Sequence, residues 1–457
     1  MPLAVLAIVA LVGATGSKPA AGTQSRHRIV RVTPADVQNP AEVSVAINPT
    51  DPNNFVVSMY ARGPKEGPRV TNRISVTRDA GRTWQGAAAA NPEKRVQGDD
   101  AVLFDGDGRA LHSYISFEGI RAPRPSRAVN GIFVRRSDDD GRTWGRPVAV
   151  VDHRNTVTPF EDKPWPGIDR VSGSPHRGNV YVAWTRFDEY GSKDPECRTE
   201  IHFSRSTDEG KTFAMPFRIS DDSGDCLDSD NTVEGAVPAV GPHGEVYVAW
   251  NGPKGLMFDQ SEDGGLTFGR DRQVAITPGG WDIDIRGIAR SNGMPVTAAD
   301  VSDGPRRGTI YVNWIDERNS DPDVFVVSST DGGHTWSAPV RVNDDPAKNG
   351  AAQFFTWMAV DPIDGSVNVV FHDRRGLKGT QTRVTLARSV DGGRTFVNHA
   401  LDLAPFECNE NVSFGDYNGI DAYNGRVVAV FPHFIEEEAL AVSAAVFDFA
   451  LGTQETR

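Results

Sequence analysis

Acidic and basic side chains collect just ahead of seven short segments in which apolar residues alternate with others. Glu42, Asp99 with Asp100, Asp162 with Lys163, Glu234, Arg290, Gln353, and Asp416 with Tyr417 occupy those places. A second group follows the next segment of each unit: Glu118, Arg186, Asp188, Asp316, Arg318, His372, Asp373, Arg374 and Arg375. Carboxyl groups hold or move protons, and guanidiniums grip a planar oxyanion at two points. Gathered round one volume, such groups suit a polar ligand. Scattered, they cap strands and pair with surface neighbours at little gain in stability. The elements that carry them decide between these outcomes.

Two repeats describe those elements. The first reads Ser or Thr, x, Asp, x, Gly, x, Thr, aromatic. Its six copies are anchored on Asp79, Asp139, Asp208, Asp263, Asp331 and Asp391. Asp accepts backbone N–H bonds inside a tight turn, Gly supplies a left-handed position, and the aromatic residue plugs the space beneath. The second repeat is a hairpin led by Gly or Asn and followed by alternating apolar residues. It runs Asn54–Tyr60, Gly108–Tyr114, Gly178–Trp184, Gly244–Trp250, Gly308–Trp314, Gly365–Phe371 and Gly425–Phe431. Alternation of this length predicts half-buried strands. A period near 60 residues predicts a closed array, and each period holds about four strands, as a propeller blade does.

The expected fold is all-β: one propeller, with seven four-stranded antiparallel blades favoured over six. The last unit has room for strands near Gly419–Tyr423, Arg426–Phe431 and Leu440–Phe449. Its missing outer strand is expected from Arg28–Val32, which would remove a free edge. The alternative is six blades with the terminal segments packed outside. In a propeller the Asp turns and Gly-led hairpins share one face. The candidate polar residues fall on the other, where the first strands converge. The expected organisation is an export signal over residues 1–22, an N-terminal segment over 23–39, the propeller over 40–451 and a tail over 452–457. The signal rests on the apolar run Pro2–Val12 and the small residues after it.

The formal net charge of −13 disfavours nucleic acid and anionic membrane surfaces as partners, and no apolar run is long enough to span a bilayer. The expected partner is a glycan or polysaccharide, and the expected state a monomer. Cys197 and Cys226 fall on the same face of neighbouring units, so a disulfide between them is plausible and Cys408 is left single. No spacing fits zinc. No cofactor or metal is expected. The stretch Asp221–Asp230 carries five carboxylates that could hold calcium, and a solvated acidic loop is the favoured reading.

The six Asp turns resemble the Asp-box, or bacterial neuraminidase, repeats of the sialidase superfamily. The resemblance covers residues 40–450 as an architecture. It implies a Tyr nucleophile assisted by Glu, an Asp acid/base, and Arg residues that grip a sugar carboxylate. Placed on this chain, the implied catalytic residues are Tyr417, Glu234 as its base, and Asp100 as acid/base. Arg290 and Arg374 are the implied clamp, with Arg318, Asp162 and Gln353 as further substrate contacts. The family's Arg-Ile-Pro string has its nearest counterpart in Arg28-Ile29-Val30, without the Pro. Three readings follow: a secreted exo-sialidase-type glycosidase, a non-catalytic carbohydrate- or protein-binding propeller, and a polysaccharide lyase. Guanidiniums converging in one pocket would favour the enzyme, and guanidiniums dispersed onto separate carboxylates would favour the binder.

Overall fold

The computed structural model describes residues 27–63, 68–87, 91, 94–120 and 129–451. The expected signal and tail lie outside the described residues. Seven antiparallel sheets follow one another in chain order. The strands nearest the axis are Ala41–Ile47, Val96–Phe104, Phe160–Ile168, Glu234–Val240, Val296–Ala299, Gln353–Val360 and Gly419–Tyr423, which number the blades from one to seven. Six blades are built from consecutive strands. Blade seven is completed by His27–Arg31, which pairs antiparallel with Ala439–Asp448 and sets His27 opposite Phe447. Val32, the far end of the expected closing strand, still donates its N–H to the Val442 carbonyl. Seven blades, not six, close the ring, and the first and last described segments share a sheet.

Every predicted Gly-led hairpin delivers a second strand. Three of these, in blades four, five and six, are buried along their whole length, because each is covered on both faces by neighbouring blades. The core is therefore a set of seams between blades rather than one central mass. Tyr181 and Phe203 of blade three meet Val246 and Trp250 of blade four in one seam. Ala46 and Val56 of blade one meet Val102 and Phe104 of blade two in another.

The Asp turns tie these seams together. In each, the Asp takes the following Thr N–H and hydroxyl on its two oxygens, as Asp263 does from Thr267 at 2.9 and 2.6 Å. These bonds hold the Asp263 carboxyl down at about 2 despite the partial burial that opposes them. The glycine two residues after the Asp then sits against the preceding blade. A Cβ on Gly333 would stand 2.3 Å from Phe258 of blade four, and one on Gly141 would stand 2.4 Å from Val56 of blade one. Gly333 also has φ of 77°. Gly333→Ala is expected to lower stability by about 2–4 kcal/mol, through backbone strain plus overpacking. Urea unfolding would show this as a lower midpoint with an unchanged slope.

Candidate functional site

The same irregularity opens the first strand in five blades. Pairing slips between Ala41 and Ser44, Gly98 and Ala101, Asp162 and Trp165, Glu234 and Val237, and Phe354 and Trp357. At each slip one residue is left-handed: Glu42 (φ 50°), Asp99 (45°), Lys163 (51°), Gly235 (82°) and Phe355 (50°). A bulge of this kind re-aims the side chains beside it. Four of the five residues are not glycine, and each such position costs about 1–2 kcal/mol. Strained positions cluster at functional sites, which makes this ring of positions the candidate site.

The bulges bring carboxyl groups into contact. Asp99 lies beside Asp162 and Glu42, and Glu234 beside Asp228. Burial, then mutual repulsion, holds the Glu42, Asp162 and Glu234 carboxyls well above the usual range. Burial also raises Asp99, with Lys163 opposing it. Arg290 grips both Asp228 oxygens at 3.0 Å and lies 3.5 Å from Asp416. Tyr190 donates to Asp228 at 2.5 Å.

The floor is aromatic. The rings of Trp165 and Trp357 lie 4.3 Å apart, and Tyr417 stands edge-on to Trp165 at 5.2 Å. The Lys163 ammonium rests 4.0 Å from the Tyr417 ring centre and 4.8 Å from that of Trp165. Only 5% of Lys163 is exposed, and burial lowers its pKa against the pull of Asp99, Glu42 and Asp416. Beneath the tryptophans an axial channel of about 220 Å³ opens to the opposite face. Its charged lining is limited to Arg170 and Asp421.

Of the eight residues that the resemblance assigns on this chain, four meet at this mouth: Asp162, Glu234, Arg290 and Tyr417. The others do not. Asp100 is fully buried inside blade two and accepts from His112 Nε2 at 3.2 Å, while Arg135 donates to His112 Nδ1 at 3.0 Å. Arg318 is held by Asp316 at 2.8 Å and lies over the Phe325 ring. Gln353 is sealed within blade six between Asn343 and Asp373. Arg374 bonds Thr382 and the Arg286 carbonyl in a separate pocket. The guanidiniums are therefore dispersed. Glu234 is coupled to Asp228 and Arg290, whereas the carboxylates that act most strongly on Tyr417 are Glu42 and Asp99. The Tyr417 hydroxyl is buried without a hydrogen-bond partner.

Glu42, Asp99, Lys163 and Asp416 were visible in sequence only as members of the longer candidate set, and Asp228 only as part of the acidic stretch. That stretch is tied up locally: Asp225 accepts from Leu227 N and Thr232, and Asp230 from Trp281 N and Asp282 N. Among the described residues no group of three His, Cys, Asp or Glu side chains is placed to hold a metal ion. Cys197 and Cys226 form a disulfide with Cα atoms 5.8 Å apart, and Cys408 is free and buried. Among the described residues no helix is long and apolar enough to cross a membrane.

No family model matches the chain. A sialidase of Micromonospora viridifaciens is 26% identical over 323 residues, which is 67% of this chain and 44% of that protein. The chain thus spans less than half the length of this curated relative. The phage phi92 endosialidase superposes with a TM-score of 0.52 at 12% identity, covering 95% of this chain and 70% of that one. An α-L-arabinofuranosidase of Fusarium graminearum superposes with a TM-score of 0.49 at 14% identity, covering 80% of this chain and 98% of that one. The chain is a seven-bladed propeller with a sialidase homologue, and the structural likeness extends to the fold alone.

Proposed function

We propose that this protein binds a glycan at the axial mouth and hydrolyses a glycosidic bond there with paired carboxyl groups. The observation that carries the reading is the set of bulges that turns Glu42, Asp99, Asp162 and Glu234 toward one volume over an aromatic floor. Aromatic faces stack on sugar rings, and carboxyl groups bond sugar hydroxyls. Glycoside hydrolysis needs one carboxyl that gives a proton to the leaving oxygen and one ionised carboxylate that assists attack. Glu234, whose carboxyl burial and then Asp228 hold well above the usual range, is assigned the first role. The Asp99–Asp162 pair, where Lys163 opposes the burial that raises Asp99, is assigned the second.

The sialidase relative supports cleavage of a terminal sugar, and an exo-sialidase-type activity is part of the proposal. If Tyr417 attacks as the resemblance implies, Glu42 or Asp99 is the carboxylate placed to act on it. Export belongs to the proposal as well; the Cys197–Cys226 disulfide supports an oxidising compartment. A non-catalytic glycan binder is the second reading, favoured by Arg290 being occupied by Asp228 and Asp416.

Fluorogenic glycosides, a sialoside beside neutral sugars, test this with the full chain and Tyr417→Phe. The expected result is turnover of at least one glycoside, with Tyr417→Phe keeping more than a tenth of it. Binding without turnover would establish the binder. Neither binding nor turnover of any glycan would defeat the reading.

A further inference from the structure

The ring of bulges skips blade five. Its first strand, Val296–Ala299, is only 4 residues long and pairs with Ile310–Asp316 in unbroken register. Arg290 therefore reaches the mouth from the connection ahead of this strand, which follows Arg272–Ala275 of blade four. A side chain on a connection is held in place only as well as its backbone is held. This connection is a strap anchored by its own apolar residues: Trp281, Ile283, Ile285 and Ile288 are buried. It is also folded back on itself. Gly293 N donates to the Trp281 carbonyl at 2.7 Å, and Ile283 N to the Ser291 carbonyl at 3.2 Å. Asp282 and Asn292 face each other in an antiparallel bridge. Residues 281–283 thus run beside residues 291–293, and Arg290 is the next position along.

The dock for this strap comes from another loop. Asp230, in the connection between blades three and four, accepts Trp281 N and Asp282 N on one oxygen, Oδ1, each at 2.8 Å. The same loop carries Asp228, which Arg290 grips, and Cys226, which the disulfide ties to Cys197. The joint is closely fitted. Gly279 and Gly280 have φ of 93° and 83°, and a Cβ on Gly280 would stand 2.1 Å from Asp230 Oδ1. Glycine is the residue that lets a backbone turn left-handed and approach a carboxylate this closely. Asp230 itself is exposed, so its carboxyl is not part of the packed core.

We infer that Asp230 is a positioning residue of the axial mouth: by docking the strap it sets Arg290 against Asp228 and Asp416 and fixes that wall of the site. Asp230 makes no contact with the sugar in this role, which rests on the reading of the mouth as a glycan site.

Asp230→Ala removes both acceptors at once. Its crystal structure is expected to show the strap displaced and the Arg290–Asp228 pair broken. Calorimetric titration uses two thioglycosides that resist hydrolysis, methyl α-thiosialoside and methyl β-thiogalactoside. The one that the wild type binds better is expected to bind Asp230→Ala about tenfold more weakly, the scale of two lost hydrogen bonds. Asp230→Asn keeps Oδ1 as an acceptor without the charge, and is expected to keep both the pair and the affinity. Gly280→Ala keeps the charge but forces the joint apart, and is expected to behave as Asp230→Ala does. An intact Arg290–Asp228 pair in Asp230→Ala would overturn the inference. So would a broken pair with unchanged affinity, or an Asn variant as weak as the Ala variant, which would make charge rather than docking the cause. If the wild type binds neither probe, the reading of the mouth is what fails, and the Arg290–Asp228 pair alone decides the part of Asp230. If Asp230→Ala does not fold, Asp230→Asn and Gly280→Ala decide on the same readouts.

Discussion

Glu234→Gln is expected to reduce turnover by about 10²–10⁴-fold, the usual contribution of a general acid, while leaving the protein at least as stable as before at neutral pH. Glu234 is 2% exposed, and its Oε2 has no hydrogen-bond partner in the protein. Burial, then repulsion from Asp228, raises its pKa well above the usual value, with Arg290 opposing. The sign of the stability effect follows. A carboxyl whose folded-state pKa is raised contributes most below its unfolded pKa. That contribution is lost as the pH climbs through the folded value. Glutamine has no charge to form, so the loss disappears. The variant should match the wild type in urea at pH 4 and equal or exceed it at pH 8. A variant that lost activity because it unfolded would show the opposite at pH 8. Full activity in the glutamine variant would remove Glu234 from the chemistry.

Lys163→Met is expected to move the acidic limb of the activity profile upward by about one pH unit, the scale on which one nearby opposite charge acts. The Lys163 ammonium lowers the proton affinity of Glu42 and Asp99. Without it those carboxyls keep their protons to higher pH, and the form that carries an ionised carboxylate becomes scarce on the acid side. At a pH one unit below the wild-type midpoint, activity should fall roughly tenfold. Methionine preserves the apolar stem against Trp165, Trp357 and Tyr417, and as a non-glycine residue it meets the same left-handed φ of 51°. Packing is thereby held nearly constant. Lys163→Arg keeps the charge and should leave the limb in place. An unmoved limb in Lys163→Met, with activity lowered evenly at all pH values, would reduce Lys163 to a structural plug.

The architecture was readable because it repeats. Asp, Gly and Thr at fixed offsets specify a turn by local backbone chemistry, and six such turns with seven hairpins leave few closed arrangements. Even the closing strand could be placed, since an edge left open on blade seven needs a partner and Arg28–Val32 offers β-branched residues in the right segment. The site was readable only to within a residue or two, and the bulges are the reason. In a regular strand side chains alternate between faces, and spacing alone does not separate Asp99 from Asp100, the residue expected as acid/base. The left-handed turn at Asp99 sends that side chain to the mouth and leaves Asp100 facing His112 inside the blade. No composition signal marks a left-handed Glu, Asp, Lys or Phe, as a glycine would. Arg318, Gln353 and Arg374 diverged for a related reason. Their places after or before a strand set the face of the propeller but not the distance from its axis. Asp316, Asp373 and Thr382 on their own blades hold them.

The central claim is that glycan chemistry belongs to the axial mouth. The most direct test is a crystal structure of Glu234→Gln soaked with an oligosaccharide that the wild-type protein binds. The account predicts a sugar ring over the Lys163–Tyr417–Trp165 floor, with hydroxyls or the glycosidic oxygen bonded to Asp99, Asp162 and Gln at position 234. A glycan found in the axial channel on the opposite face, or along the rim with the mouth left untouched, would contradict it.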